Sequence, residues 1–306
     1  MIVDLKLCNR TLLSIQQLSK QYGKQKAVHQ VSLTINKGEI CGLVGENGAG
    51  KTTLLRMLSG LISQTSGTIT SSKYCRIGAL IESPALQPNL SAIDNLRYMA
   101  LQLNLKQADE KILETLAIVG LEDVDPKKKS KDFSLGMRQR LAIALAILDD
   151  PDFLILDEPI NGLDPVGIKE MRSIILNLRN QYGMTILISS HILSELEMVV
   201  DRYIIMHKGL IVKEFSKQEL EQTLEEQLYL QTNNHPKTFT ILEEQGIAYK
   251  IDKDYISLPS NTNVMSLIHL LINHEIEVKE IFKQQMSFED YYLTLLQEGE
   301  EHDTLL

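Results

Sequence analysis

A glycine-rich segment followed by a lysine and a threonine is the part of the chain best suited to chemistry. Residues 45–52 read Gly-Glu-Asn-Gly-Ala-Gly-Lys-Thr and fit the pattern G-x-x-x-x-G-K-[ST]. Glycines allow backbone N–H groups to curl around an anion, and the start of the following helix adds partial positive charge. Lys51 can reach the β- and γ-phosphates of a nucleotide, and the Thr52 hydroxyl can ligate Mg²⁺. The segment predicts a phosphate-binding loop with the candidate ligands Gly45, Glu46, Asn47, Gly48, Ala49, Gly50, Lys51, Thr52 and Thr53.

Two adjacent carboxylates end a predicted strand further along the chain. The apolar run 153–156 leads directly into Asp157 and Glu158. Successive side chains of a strand point to opposite faces, so the two acids can do different jobs. Asp157 suits the magnesium shell, and Glu158 can polarise an attacking water as a general base. An exposed acidic turn is the alternative for this pair alone, but a phosphate loop upstream favours the catalytic interpretation.

These motifs need a fold that brings them together, and the chain up to residue 214 has the pattern of one. Runs of β type at 12–18 and 27–35 flank a turn at Tyr22-Gly23, and the apolar run 40–44 leads into the phosphate loop. A helical run follows at 52–58, and a helical insert over about 90–150 precedes strands at 153–156 and 185–189. Strands alternating with helices indicate a parallel sheet covered by helices. We predict an α/β domain over 1–214 with an antiparallel β part at its N-terminus.

The composition indicates a folded protein that does not itself span a membrane. Among 306 residues, 31 are basic and 40 acidic, a formal charge of −9 that disfavours nucleic acid as a ligand. The longest apolar stretch, 141–148, is far shorter than the ~18 residues that cross a bilayer. The three cysteines are widely spaced with no Cys-x-x-Cys pair, so we expect reduced thiols in the cytosol.

The segment 215–306 differs in composition from the rest of the chain. It holds 17 acidic and 6 basic residues, whereas the remainder is near neutral. Its pattern predicts a small α+β accessory domain with strands at 227–232, 247–251, 255–258 and 276–282, helices at 238–245 and 263–273, and a final helix. Ser287 and Asp290 resemble a capping box at the start of that helix. An apolar stripe follows at helical spacing, and we interpret it as core-facing: Phe288, Tyr291, Tyr292, Leu295 and Leu296.

A segment between the phosphate loop and the two acids carries a resemblance to a known family. Residues 133–137 read Phe-Ser-Leu-Gly-Met at the start of an apolar helical run. With the preceding motifs, this resembles the nucleotide-binding subunits of ABC transporters, whose signature is Leu-Ser-Gly-Gly-Gln. The form here departs at three of five places but keeps Ser134 and Gly136. The resemblance implies a P-loop NTPase core of the ABC type, in which these two residues bind the γ-phosphate held by the opposite subunit of a head-to-tail dimer.

Three further residues acquire roles from the same resemblance. Tyr22 lies where the family stacks an aromatic ring on adenine, Asp164 ends the loop that couples the two sites, and His191 would sense the γ-phosphate. Taken singly, Tyr22 could be a packed turn tyrosine. His191 could be a helix cap, a satisfied histidine or, with Glu195, part of a metal pair. The order and spacing of the motifs favour the nucleotide roles.

Glu82 stands where the family usually has a glutamine. The segment 77–84 reads Ile-Gly-Ala-Leu-Ile-Glu-Ser-Pro, at the end of the strand before the helical insert. A carboxylate there can still supply oxygen to Mg²⁺, but it adds negative charge near Asp157 and Glu158. We therefore count Glu82 among the catalytic and metal-binding candidates, and predict a tight Mg²⁺ dependence and slow hydrolysis in the isolated subunit.

The resemblance implies an ATPase that drives transport with ATP and Mg²⁺. The partners expected are a second ATPase subunit, in a homodimer, and a separate integral-membrane permease that holds the chain at the cytoplasmic face of the membrane. The chain resembles the ATP-binding subunits of exporters for bacitracin and lantibiotic-type peptides in three places: the residues at 77–84, the residues at 134–141 and the acidic tail. The alternatives are the ATPase of a nutrient importer and a non-transport ABC ATPase acting on ribosomes or DNA. The second alternative lacks support, because one cassette and no heptad run are present.

Overall fold

The chain folds as two units that meet in sequence at Lys217. The computed structural model describes residues 10–73, 75–82, 86–224, 226–252 and 254–303, and its units are Met1–Lys217 and Gln218–Leu306. The predicted boundary at 214 falls inside the last strand of the first unit, which runs over Leu210–Ser216. That strand pairs with Arg202–His207 up to its final residue, and the Phe215 ring packs 5.4 Å from the ring of Tyr203. Sheet pairing therefore carries the first unit beyond the predicted boundary.

The first unit alternates strands and helices after an N-terminal hairpin. In chain order its elements are β1 (Thr11–Tyr22), β2 (Gln25–Asn36), β3 (Ile40–Val44), α1 (Lys51–Leu58), β4 (Ser66–Ser71), β5 (Ile77–Leu80), α2 (Ala92–Gln102), α3 (Ala108–Ile118), α4 (Leu135–Ile147), β6 (Phe153–Asp157), α5 (Pro165–Tyr182), β7 (Thr185–Ser190), α6 (Leu193–Leu196), β8 (Arg202–His207) and β9 (Leu210–Ser216).

Two sheets form the framework of this unit. A six-stranded sheet has the order β5-β6-β7-β3-β8-β9 and is parallel except for β9, while β2, β1 and β4 form a separate antiparallel sheet. Every residue of β3, β6 and β7 is buried, as expected of strands covered on both faces. The core joins the inner side chains of the antiparallel sheet to α1 and to the central strands. The predicted α/β core with an antiparallel N-terminal part is confirmed.

Strand register decides which residues meet at the carboxyl edge of the large sheet. Val44 at the end of β3 lies beside Ser190 of β7, and Asp157 at the end of β6 lies beside Ser189. The segments that follow β3, β6 and β7 therefore emerge at the same edge. Ligands of open parallel sheets bind at this edge.

The helical insert consists of α2, α3 and α4. Within the predicted insert of about 90–150, α3 ends at Ile118, and Gly120 turns the chain with a φ of 64°. Proline at position 126 and a short 3₁₀ turn at Ser130–Asp132 follow before α4 begins. Ser134 is the N-cap of α4, and its hydroxyl accepts a hydrogen bond from the Met137 N–H at 3.2 Å.

The second unit contains a four-stranded antiparallel sheet with helices α8 and α9 packed on one face. Its elements are α7 (Lys217–Thr223), β10 (Gln227–Thr232), α8 (His235–Glu244), β11 (Lys250–Asp252), β12 (Tyr255–Pro259), α9 (Val264–Asn273), β13 (Val278–Gln284) and α10 (Phe288–Asp303). The predicted order of elements from β10 onward is confirmed, with ends shifted by up to three residues, whereas α7 was not predicted. The sheet order β11-β12-β10-β13 makes this a split β-α-β, ferredoxin-like arrangement. Its core lies between the sheet and helices α8 and α9.

The final helix has the predicted cap and apolar stripe. The Ser287 hydroxyl accepts a hydrogen bond from the Asp290 N–H at 3.1 Å and donates one to the Asp290 carboxylate at 2.7 Å. Four of the five stripe residues are buried and Tyr291 is half-buried, so the core-facing interpretation is confirmed. Among the described residues, no helix is long and apolar enough to cross a membrane.

Candidate nucleotide-binding site

The phosphate loop connects β3 to α1 and needs glycine for steric reasons. A Cβ atom on Gly45 would lie 2.4 Å from the Met206 carbonyl oxygen, and one on Gly50 would lie 2.4 Å from the Ala27 carbonyl oxygen. Gly48 and Gly50 also have φ angles of 88° and 104°, in the left-handed region that favours glycine. Gly50 is the N-cap of α1 and carries no side-chain cap, which leaves the first N–H groups of the helix open to an anion.

Lys51 places its charge inside the loop. Its side chain is only 6% exposed, and Nζ donates hydrogen bonds to the carbonyl oxygens of Gly45 at 2.6 Å and Glu46 at 3.2 Å. The same Nζ lies 3.7 Å from the carboxylate Oε1 of Glu158. The ammonium group is therefore fixed where the loop curls and faces the carboxylate at the end of β6.

Two hydroxyl groups hold Asp157 at the carboxyl edge of the sheet. Thr52 Oγ1, in the first turn of α1, donates to Oδ2 of Asp157 at 2.9 Å. Ser189 Oγ, near the end of β7, donates to Oδ1 at 2.5 Å. The predicted metal ligands Thr52 and Asp157 are thus brought together, although 105 positions separate them in the sequence.

Glu158 is held in a strained conformation beside His191. Its φ of 50° lies in the left-handed region, which costs about 1–3 kcal/mol for a residue other than glycine. Its N–H donates to the Ser189 carbonyl at 3.2 Å and lies 3.0 Å from the Ser189 hydroxyl oxygen, and these contacts fix the turn. Its Oε2 lies 2.7 Å from Nδ1 of His191. The carboxylate is therefore positioned between an imidazole and the Lys51 ammonium.

Lys51, Thr52, Glu158 and His191 line one open cavity of about 720 Å³, and Asp157 reaches its lining through the hydrogen bond from Thr52. Tyr22 lies at its rim with 49% of its surface exposed, which contradicts the alternative of a packed turn tyrosine. The lining also includes residues that the sequence analysis did not assign to the nucleotide: Gln25, Lys26, Ala27, Asn161, Lys208 and Gly209. The turn between β8 and β9 reaches the loop because the Gly209 N–H donates to the Ala49 carbonyl at 2.8 Å. No local pattern signals that contact.

Glu82 does not reach this cavity. Its carboxylate forms an ion pair with Arg56 at 2.6 Å, its side chain is 57% exposed, and it is not among the lining residues. Its φ of 61° turns the chain at the end of β5. The structure thus pairs the predicted metal-binding carboxylate with Arg56 of α1.

The signature residues and Asp164 also lie outside the cavity lining. Asp164 is the N-cap of α5, and its carboxylate accepts a hydrogen bond from the Gly167 N–H at 3.1 Å. A Cβ atom on Gly136 would lie 3.7 Å from the Leu163 side chain, so the signature turn and the loop before α5 are neighbours. These residues form a second cluster within the unit, apart from the phosphate loop.

The alternative of a metal pair at His191 and Glu195 is not supported. Glu195 forms an ion pair with Arg172 at 2.5 Å, while the His191 ring contacts Glu158. Across the described part of the chain, no group of three or more His, Cys, Asp or Glu side chains could hold a metal ion by itself.

Comparisons with known proteins identify the family of this chain. The family model for ABC transporters matches residues 28–161. The chain is 39% identical to the bacitracin transport ATP-binding protein BcrA of Bacillus licheniformis, over 94% of this chain and 98% of that protein. It is 44% identical to the lantibiotic transport ATP-binding protein SrtF of Streptococcus pyogenes, over 71% of this chain and 97% of that protein. The solved structure of an ATP-binding subunit of an ABC transporter superposes with a TM-score of 0.62 at 29% identity, over 70% of this chain and 93% of that one. The chain therefore belongs to the ABC transporter family and is one of its ATP-binding subunits, an ATP hydrolase.

Proposed function

We propose that this ATPase drives the export of an antibiotic peptide or related drug through a separate membrane permease. The observation that carries the ATPase role is the convergence of Lys51, Thr52, Asp157, Glu158 and His191 at one edge of the sheet. The export role is supported by likeness to proteins named for bacitracin and lantibiotic transport. For BcrA, the likeness extends over the second unit as well as the first.

The geometry supports hydrolysis with Glu158 as the general base. A water in the cavity would lose a proton to the Glu158 carboxylate as its oxygen bonds to the γ-phosphorus. The bond from the γ-phosphorus to the bridging oxygen breaks, and its electron pair leaves with ADP. Lys51 would balance the negative charge on the phosphate oxygens, and His191 would hold the Glu158 carboxylate toward the reacting group.

Thr52 and Asp157 fit a magnesium ion shared with the nucleotide. Their oxygen atoms lie 2.9 Å apart at the mouth of the loop, and both are hard ligands. Mg²⁺ in nucleotide sites is held by one or two protein groups together with phosphates and waters, so a larger carboxylate cluster is not needed. Bound there, the ion would neutralise charge on the β- and γ-phosphates.

The second cluster supports a head-to-tail dimer of two such subunits. Ser134 begins α4 with its hydroxyl and the first N–H groups of the helix, a suitable site for a phosphate. It lies outside the cavity of its own chain, as does Asp164, so we infer that both act on the nucleotide of the second subunit. The dimer would then close on ATP and reopen after hydrolysis, and this movement would drive transport.

An apolar groove beside the helical insert is our proposed contact for the permease. A cavity of about 420 Å³ lies between β5 and helices α2 and α4. Three large apolar side chains of its lining are exposed: Leu61, Ile77 and Leu103. A short cytoplasmic segment of a membrane protein, with an apolar face, fits this groove. Docked there, the subunit would lie at the cytoplasmic face of the membrane.

The test is purification of the tagged protein from native membranes, followed by identification of the proteins that accompany it. We expect a polytopic membrane protein in stoichiometric amount, and deletion of its gene should sensitise cells to a peptide antibiotic. A matched variant, Leu61→Glu with Leu103→Glu, should lose the permease and keep ATP hydrolysis. A solute-binding protein in the complex would favour a nutrient importer, and ribosomal proteins without a membrane partner would refute the transport role.

A further inference from the structure

Strand β13 leaves one side of its backbone unpaired. It spans Val278–Gln284 at the end of the C-terminal sheet and pairs on its inner side with β10. Within residues 226–252 and 254–303, no strand pairs with its outer side. The opposite edge, β11, has only three residues, whereas β13 has seven. A free edge of this length is a template for another strand.

Helix α9 carries a second apolar stripe in addition to the one that faces the core. Leu267 and Leu271 are buried against the sheet. Met265 and Ile272 are 64% and 58% exposed, and Ile268 between them is half-buried. Spacings of three and four residues place 265, 268 and 272 on one flank of the helix. The other flank is polar, with Ser266, His269 and Asn273.

The chirality of the fold turns this apolar flank toward the free edge. Helix α9 connects β12 to β13 across β10 and contacts β13. Such crossovers are right-handed: when α9 is viewed in front of the sheet with β12 pointing up, β13 lies to the right of the helix. Advancing about 100° per residue from the buried Leu267 and Leu271, positions 268, 272 and 265 fall on that side. The unpaired strand and the apolar stripe therefore form one continuous border of the unit.

The α9 part of this border carries no acidic or basic side chain, although the unit is strongly acidic. Residues 218–306 contain 17 acidic and 5 basic side chains, yet residues 255–274, which include α9, contain none of either kind. Depletion of charge marks the centres of protein interfaces. Two acidic copies of the unit would repel each other through their many carboxylates, so the uncharged stripe of α9 is a place where they can approach.

We propose that the C-terminal unit dimerises with a second copy of this chain through β13 and α9. A two-fold axis perpendicular to the sheet pairs the two β13 strands antiparallel and joins the two four-stranded sheets into one. The same operation brings the two α9 stripes side by side, so one contact satisfies both the backbone and the apolar flank. This contact is independent of nucleotide and would hold the two ATPase subunits together when their ATP sites are open.

The charges on β13 select the register of this pairing. With Ile281 on the axis, Lys279 would lie opposite Lys283 of the second copy, and with Glu280 on the axis two carboxylates would face each other. With Phe282 on the axis, Glu280 lies opposite Gln284 and no like charges meet. Phe282 already stacks on Tyr229 with ring centroids 5.5 Å apart, so the two-fold contact would extend an aromatic row.

Sedimentation of the full-length protein without nucleotide tests the dimer. We expect the unchanged chain to be dimeric and Met265→Glu/Ile272→Glu to weaken the dimer on the order of 100-fold, since each side chain counts twice across a two-fold axis. Ser266→Glu/His269→Glu, on the polar flank of the same helix, is the matched control and should remain dimeric. A monomeric unchanged chain, at the highest concentration that stays soluble, would overturn the proposal, as would equal loss in both variants.

A cysteine placed on the axis tests the register. In a chain with Cys8, Cys41 and Cys75 replaced by alanine, Phe282→Cys should form an intermolecular disulfide under mild oxidation. Lys279→Cys should not, because its two copies would lie roughly 20 Å apart, six residues out of register. Cross-linking of both variants to the same extent would show random collision and contradict the paired strand.

Adding ATP to a hydrolysis-deficient form separates this inference from the proposed function. Glu158→Gln carrying Met265→Glu/Ile272→Glu should be monomeric alone and dimeric with Mg²⁺ and ATP. If the Glu158→Gln protein with an unchanged C-terminal unit dimerises only when ATP is present, the β13 contact is refuted and the head-to-tail dimer on ATP is not affected. A different result would refute the head-to-tail dimer and leave the β13 contact intact. In that result, the protein with the unchanged C-terminal unit dimerises without nucleotide, but ATP does not dimerise the protein that carries Met265→Glu/Ile272→Glu.

Discussion

The ion pair between Arg56 and Glu82 makes the role of Glu82 measurable. Glu82 stands at the family's glutamine position, yet its carboxylate lies 2.6 Å from the Arg56 guanidinium and outside the nucleotide cavity. If Glu82 supplies an oxygen to Mg²⁺ during hydrolysis, it must first leave Arg56. Replacing Arg56 by glutamine removes that competing partner, so Arg56→Gln should lower the Mg²⁺ concentration that half-saturates the ATPase.

The exposure of the pair sets the size of this effect. The two side chains are 35% and 57% exposed, and pairs of this kind contribute about 0–1 kcal/mol. An energy of 1 kcal/mol corresponds to about a fivefold change in an equilibrium constant. Arg56→Gln should therefore lower the half-saturating Mg²⁺ concentration by up to about fivefold. Loss of so exposed a pair should change the free energy of unfolding by less than about 1 kcal/mol.

Steady-state ATPase assays across a Mg²⁺ titration test this in a double-mutant cycle. Glu82→Gln should raise the half-saturating Mg²⁺ concentration, and Arg56→Gln should then have no further effect in that background. An equal shift by Arg56→Gln with and without Glu82 would refute the competition. If Glu82→Gln changes neither the Mg²⁺ dependence nor the rate, Glu82 is only a spacer between the core and the helical insert.

Three other predictions follow from buried or paired groups. Glu158→Gln should lower the ATPase rate at least about 100-fold while retaining nucleotide binding by fluorescence titration, and a near-normal rate would exclude Glu158 as the base. Burial raises the pKa of the Cys41 thiol, so iodoacetamide at pH 8 should label Cys41 only after unfolding in urea, as measured by mass spectrometry. Burial opposes ionisation of Glu39, but hydrogen bonds from Arg202 and from the Asn36 N–H outweigh it and hold the pKa of Glu39 below its ordinary value of 4.5. Its contribution to the free energy of unfolding is thus present above pH 4.5 and is lost as the pH falls below it; equal stability of Glu39→Gln at pH 7, by urea denaturation, would contradict this.

Local patterns in the sequence predicted the phosphate loop and the strands around it. The segment 45–52 needs no distant information, because its glycines, lysine and threonine lie within one turn between a strand and a helix. The ferredoxin-like order of the C-terminal unit was also readable, since each element has its own periodicity. The first unit extends beyond the predicted boundary at 214 because β9 pairs with β8 as far as Ser216 and the Phe215 ring packs against Tyr203.

The sequence by itself determined the chemistry of this protein: which residues can hold phosphate, which can hold magnesium and which can take a proton. Only the tertiary structure decided which of them meet. Parallel register aligned β3, β6 and β7 and brought Thr52 to Asp157 and Glu158 to His191, whereas Glu82 was drawn to Arg56. The chemical type of a side chain belongs to a single position, so the sequence gives it directly. Proximity depends on backbone pairing between strands far apart in sequence, which no local pattern encodes.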